Sequence, residues 1–330
     1  IVTDVRQAGG IAAVTWYGTI WRGPHAGKAP PPYTVGANGF FAVPADTSYL
    51  GLLPSPGNWA ADLDDTYFRG GDQLKYFWGA ADNGGGFSST PGGLTGVPAS
   101  VAAAEAATLG LHEVNYLPSI NWDPAYLAAI AASPSGDVDP TAMQIANSTQ
   151  KACMLYVQKL TTRRRSGALN RTSFMYTLDR LGYDIYTDYD VYDIQGYGNT
   201  NNALGSRANV AQCSGYSLII QDDGRSTATP NIPDGSIADS EKINQAQWYR
   251  DYLAQGVTGL AGSASFWSIG ESTPTADGHA ANPLYTTNMG LSMIVADQGL
   301  NVNPNVQGGN NFTFAGGGVG AFVGDVFSLN

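Results

Sequence analysis

Met154-Leu155-Tyr156-Val157, Tyr189-Asp190-Val191-Tyr192-Asp193-Ile194, Tyr216-Ser217-Leu218-Ile219-Ile220-Gln221 and Ala264-Ser265-Phe266-Trp267-Ser268-Ile269 are short apolar runs separated by loops and helix-like stretches, and a fifth run follows at residues 291–296. Strands that alternate with amphipathic helices read as a parallel sheet with crossover helices. The run from Tyr216 to Gln221 is apolar almost throughout, as a strand buried on both faces must be. Between the first two runs, Thr172-Ser173 offers a helix cap ahead of a stripe of Phe174, Leu178 and Leu181, and Gly182 offers a left-handed stop. A short helix is expected at residues 208–213. Ser240 is expected to cap the longest helix, with Ile243, Ala246, Trp248 and Leu253 near one side and Gly256 or Gly259 as its end.

Five strands in this order favour a flavodoxin-like sheet over residues 151–330, carrying a Gly-rich C-terminal β segment. The first 120 residues have a different rhythm. Alternation runs through residues 11–20 and again through 73–81, where Leu74, Tyr76, Trp78 and Ala80 share one face and Lys75, Phe77 and Gly79 the other. Turn chemistry at Gly9-Gly10, Pro30-Pro31-Pro32 and Gly70-Gly71 punctuates the pattern. Short strands with such punctuation predict a β-sandwich of immunoglobulin type over residues 1–120. Helical patterns at 100–108, 124–132 and 141–147 are also expected, the last two inside a connector at 121–150.

Only 13% of the chain is charged, Gly (42) and Tyr (18) are abundant, and the net charge is −11. That composition is common in extracellular proteins, and the acidic balance disfavours nucleic acid and anionic lipid, which attract a surplus of Lys and Arg. No run approaches the ~20 apolar residues of a membrane span, so no membrane insertion is expected. An opening Ile and an end just after a strand-like run suggest a piece of a longer chain. The two cysteines, Cys153 and Cys213, allow one disulfide and read equally well as small buried apolar residues. Asn147, Asn170 and Asn311 sit in Asn-x-Ser/Thr sequons and are candidate glycosylation positions.

Two segments carry a resemblance. Arg69-Gly70-Gly71-Asp72-Gln73-Leu74-Lys75-Tyr76-Phe77-Trp78-Gly79-Ala80-Ala81-Asp82-Asn83-Gly84-Gly85 resembles the penultimate strand of fibronectin-type and other immunoglobulin-like modules of large secreted bacterial proteins. Leu178-Asp179-Arg180-Leu181-Gly182-Tyr183, Tyr189-Asp190-Val191-Tyr192-Asp193, Leu204-Gly205 and Gly215-Tyr216-Ser217-Leu218-Ile219-Ile220 together resemble the α/β module that follows such domains in cell-surface proteins. That module is distantly similar to gingipain-like and amidotransferase-like domains. The resemblance implies export and fold, and it carries no assigned reaction.

Ligands of parallel α/β sheets sit beyond the carboxyl ends of the strands. After the first strand, Arg163, Arg164 and Arg165 precede a helix start and are candidate anion ligands, although the glycine spacing of a phosphate loop is missing. After the third, Asp222 and Asp223 are candidate cation ligands if Asp193 or Asp234 converges on them; as Asp-Asp-Gly they are also ordinary turn chemistry. A cysteine protease of the gingipain kind would place His and Cys in the loops after the third and fourth strands, and neither is there. Ser268, Glu271 and His279 are the weak hydrolytic alternative, as nucleophile, orienter and base. Asp62, Asp64 and Asp65, with Asp72, are candidate ligands for a structural calcium ion, the one cofactor the sequence suggests. Trp16, Tyr17, Trp21, Tyr33 and Trp59 offer rings for stacking on sugars or for a core.

With the catalytic loops empty, the leading expectation is a non-enzymatic extracellular or cell-surface structural module that associates with copies of itself or with other modules of the same protein. A secreted hydrolase and a carbohydrate-binding module are the alternatives.

Overall fold

The computed structural model describes residues 2–4, 10–47, 58–159, 165–194, 203–222, 232, 244–256, 264–269, 282–288, 310–313 and 326–329. The chain divides into two compact units, Ile1–Lys151 and Ala152–Asn330. The segment 121–150 therefore belongs to the first unit. Among the described residues, no helix is long and apolar enough to cross a membrane.

The first unit holds β1 (Val2–Asp4), β2 (Ile11–Arg22), β3 (Phe41–Pro44), β4 (Asn58–Ala60), β5 (Gln73–Asp82), β6 (Phe87–Thr90), α1 (Val101–Thr108), β7 (His112–Asn115), β8 (Ile120–Asn121), α2 (Pro124–Ala132), α3 (Ala142–Asn147) and β9 (Thr149–Gln150). Its main sheet is antiparallel with five strands, ordered β3-β2-β5-β6, and β7 also pairs with β5. The alternation expected in β2 and β5 sets two faces. In register, Val14, Trp16, Gly18 and Ile20 face Ala80, Trp78, Tyr76 and Leu74. This row, joined by Phe41 and Val43 of β3, packs against Ala29, Ala61, Tyr67 and Phe68. Trp16 lies over Gly18, where a Cβ would stand 2.1 Å from the indole, so this position has room only for glycine.

The other face of the sheet is covered by a helix. Phe77 packs with Phe40, Leu94 and Ala104 of α1, and Tyr17 stacks on Phe77 at 4.7 Å. Burying a ring of this size contributes roughly 1.5–3 kcal/mol, which explains why an 8-residue helix, too short to persist alone, is stable here. Ser100 caps α1 by accepting from the Ala103 N–H, and Leu109 ends it in the left-handed region at φ 58°. The opposite layer, among the described residues, consists of the β1–β4 pair, an Asp46–Ala60 bridge and the aromatic loop carrying Tyr67 and Phe68. In α3, Thr141 and Gln144 form a reciprocal capping box.

The second unit holds β10 (Met154–Lys159), α4 (Arg165–Arg180), β11 (Tyr189–Ile194), α5 (Leu204–Arg207), β12 (Leu218–Asp222), α6 (Gln245–Gln255), β13 (Ser265–Ile269), β14 (Asn310–Thr313) and β15 (Val326–Leu329). Four strands form a parallel sheet in the order β11-β10-β12-β13, and β14 and β15 form a separate antiparallel pair. The strand expected at 291–296 lies outside the described residues. Right-handed crossovers that leave a central strand in opposite directions place their helices on opposite faces. The packing agrees: Phe174 and Leu178 of α4 join Tyr156, Val191 and Ile220 on one face, while Tyr249 of α6 stacks on Phe266 at 4.2 Å on the other.

Two helix starts differ from the sequence expectation. The helix expected to start at Thr172-Ser173 begins at Arg165 and runs through Gly167, because a hydroxyl cap is only a local option. It is also longer than α6, which starts at Gln245 behind an Asn244 cap and stops at Gly256. Ser240 and Ile243 lie outside the described residues. Leu181, expected on the buried stripe, is exposed, since the chain turns away at Gly182 (φ 84°).

Candidate functional site at the carboxyl edge of the parallel sheet

From β10 the chain steps to β11 on one side, and from β12 it steps to β13 on the other. The switch point therefore falls between the carboxyl ends of β10 and β12, where open α/β sheets bind ligands. Register places Asp193, Gln158 and Asp222 in one row there, beside Ile269. One residue earlier, on the opposite face, stand Tyr192, Val157, Gln221 and Ser268. Gln158, Gln221 and Asp222 are buried.

Two of these polar groups, Asp222 and Gln221, are held by aromatic hydroxyls. Tyr156 donates to Asp222 Oδ2 at 2.7 Å, and Tyr249 donates to Gln221 Oε1 across the other face. Deeper in the same unit, Tyr216 donates to Asp190 Oδ2 at 2.6 Å, and Tyr252 donates to the Tyr216 carbonyl at 2.7 Å. Burial, reinforced by the Asp190 carboxylate, holds the Tyr216 hydroxyl well above its ordinary range. Tyr192 is pushed up to about 12 by burial, against the opposing pull of Arg207. Tyr156, Tyr249, Tyr216 and Tyr252 are thus neutral donors to buried acceptors, which suits a low-dielectric interior.

The sequence candidates land apart from one another. Ser268 shares a row with Gln221 and so faces away from Asp222. Glu271, His279, Asp223, Asp234, Arg163 and Arg164 lie outside the described residues, and Arg165 is the first residue of α4. Asp193 does share the face of Asp222, but Gln158 stands between them, and two strand spacings put their backbones about 10 Å apart. Among the described residues, no group of three or more His, Cys, Asp or Glu side chains is placed to hold a metal. Cys153 and Cys213 are free thiols, so the bridge their number permits is not formed. Cys153 is exposed just before β10, whereas Cys213 is buried in a 3-10 turn, and burial pushes its thiol up to about 12.

In the first unit, Asp62, Asp64 and Asp65 are exposed. Asp64 Oδ1 accepts from the Thr66 hydroxyl and N–H, and these bonds hold its carboxyl below the usual range. Asp72 is not with them: it is buried and accepts from the His25 N–H, the His25 ring and the Arg69 N–H. His25, which the sequence places in a Pro/Gly loop, is buried as well. Of the rings offered for sugar stacking or for a core, Trp16 is fully buried and Tyr17, Trp21, Tyr33 and Trp59 are half-buried. Trp16 is core, Tyr33 and Trp59 pack against the same cluster, and Trp21 has Lys75 and Arg22 over its ring at 3.9 and 4.1 Å. Of the sequons, Asn147 is exposed at the end of α3, Asn170 lies within α4, and Asn311 lies in β14.

The sequence alone did not single out Gln158, Gln221 or the tyrosine that meets Gln221, Tyr249. Their signal was a polar residue closing an apolar strand, a position where a buried amide needs a partner. Comparison with protein-family models, with curated proteins and with solved structures gives no match to this chain.

Proposed function

We propose that this chain is a non-enzymatic module of an extracellular or cell-surface protein, an immunoglobulin-like unit followed by a flavodoxin-like unit, which associates with copies of itself or with other modules of the same protein. The carrying observation is the Tyr156–Asp222 hydrogen bond: at the position where such sheets bind ligands, the acidic side chain is buried against a tyrosine of its own sheet. The strand order β11-β10-β12-β13 supports the flavodoxin-like reading. The five-stranded sheet with a second aromatic layer supports the immunoglobulin-like one. Low charge and abundant Gly and Tyr support export. Association fits the uncharged, β-prone β14–β15 pair, whose Phe312 and Phe327 are cross-strand partners.

A panel of peptide, ester and glycoside substrates, run on the intact chain and on Asp222→Asn and Ser268→Ala, tests the reading. No turnover is expected from any of the three. Turnover by the intact chain that either substitution abolishes would establish the hydrolase alternative. Light scattering over a wide concentration range tests association, and a strict monomer at every concentration would refute that part.

A further inference from the structure

We infer that residues 123–141 form a strap latched to the first unit through one buried carboxylate, Asp72, and that the strap and the His25 loop open together as a single cooperative element. Asp72 immediately precedes β5 and is fully buried. Its Oδ1 accepts from the His25 N–H at 3.0 Å, and its Oδ2 faces His25 Nδ1 at 2.7 Å and accepts from the Arg69 N–H at 2.9 Å. One carboxylate thus fixes two loops, the one carrying His25 and Lys28 and the one carrying Tyr67 and Arg69.

Those same loops supply polar anchors of the strap. Lys28 donates to the carbonyls of Ser133 at 2.7 Å and Ala131 at 3.3 Å, the C-terminal end of α2, where a cation complements the helix dipole. Tyr67 donates to the Ser135 carbonyl at 2.6 Å. Arg69 Nε donates to the Tyr126 hydroxyl at 3.2 Å, which in turn donates to the Val138 carbonyl at 2.9 Å, and its guanidinium meets Asp139 at 3.4 Å. Gly136 closes the arrangement: at φ 75° it fits where a Cβ would stand 2.9 Å from the Tyr67 hydroxyl and 3.2 Å from His25 Cδ2. Within the strap, Tyr126 and Ile130 of α2 are buried. Neither loop can move off Asp72 without carrying strap anchors with it.

Hydrogen exchange of the full chain, read by mass spectrometry on peptides spanning 21–33, 123–141 and α1, tests the coupling. Native-state openings of this kind are local, so α1 serves as the internal reference. Asp72→Asn keeps the shape but loses an acceptor for the His25 and Arg69 donors. It is expected to speed exchange in 21–33 and 123–141 by a common factor of about tenfold or more, leaving α1 unchanged. Acceleration in 21–33 alone would overturn the inference. Should Asp72→Asn prevent folding, the pair Lys28→Met with Tyr67→Phe loosens only the strap anchors. Coupling then requires 21–33 to accelerate with 123–141, and acceleration confined to 123–141 overturns it.

Discussion

Replacing Tyr156 by Phe removes one hydroxyl and leaves the ring, so it isolates the hydrogen bond on which the functional proposal rests. The ring keeps its stacking on Phe174, at 4.1 Å with planes 10° apart, and its place in the buried cluster under α4. What is lost is a 2.7 Å bond to Asp222 Oδ2, in a carboxyl group only 7% exposed. A hydrogen bond to a charged acceptor is worth about 1.5–3 kcal/mol, and little water reaches this one to replace it. For a unit of this size that corresponds to a fall in Tm of roughly 3–12 °C. Calorimetry of Tyr156→Phe, Asp222→Ala and the double variant measures the coupling, expected at about 1.5–3 kcal/mol. The sign matters as much as the size. Residues kept for chemistry are commonly held at a cost to stability, and replacing them raises Tm. A coupling near zero, or an Asp222→Asn protein more stable than the parent, would refute the structural reading of this carboxylate.

Leu109→Gly is expected to stabilise the first unit by about 0.5–1 kcal/mol, because Leu109 is held at φ 58° and is 97% exposed, so relief of backbone strain costs no packing; chemical denaturation checks it. Gly18→Ala is expected to destabilise by about 1–3 kcal/mol, since the new Cβ would drive the Trp16 ring out of the core; loss of the near-ultraviolet tryptophan signal at lower denaturant would report it. With a thiol reagent at pH 8, one cysteine, Cys153, should react in the folded protein and two after unfolding, and prompt labelling of both would contradict the burial of Cys213. Burial pushes Tyr192 and Cys213 up to about 12 in the folded state, above their ordinary values of 10.0 and 9.0, which the unfolded chain regains. The folded state therefore holds these protons more tightly, and their contribution is complete below the unfolded values and lost as pH rises toward 12. Tm measured from pH 8 to 11.5 should fall, and a flat profile would contradict the burial of both groups.

The four parallel strands were legible because their signal is local: a buried strand is a short apolar run between turns, and β11 and β13 fall within one residue of the runs that announced them. The α2 helix was legible for the same reason, with Asp123 as cap and Pro124 opening the first turn. The partners of polar residues were not. Tyr156 and Asp222 are 66 residues apart, His25 and Asp72 are 47 apart, and periodicity assigns a side chain to a face without saying what stands across from it. An acidic residue at a strand end therefore reads as potential chemistry until its neighbour is known.

Composition held a clue to those neighbours. A chain with 13% charged residues and 18 tyrosines has few cations to set against its buried acids. A tyrosine hydroxyl supplies a donor from a side chain that is otherwise apolar, so it satisfies a carboxylate without placing a second charge in a medium where charges are expensive. Asp222 and Asp190 are both met in this way, from Tyr156 and Tyr216, and Gln221 is met from Tyr249. By contrast, Lys75–Glu105 and Arg69–Asp139 each include a side chain well short of full burial. The scarcity of charge and the abundance of tyrosine thus go together in this chain: among the described residues of its parallel-sheet unit, buried acceptors are met by neutral donors, and Asp222, an acid that looks reactive in the sequence, is one of those acceptors.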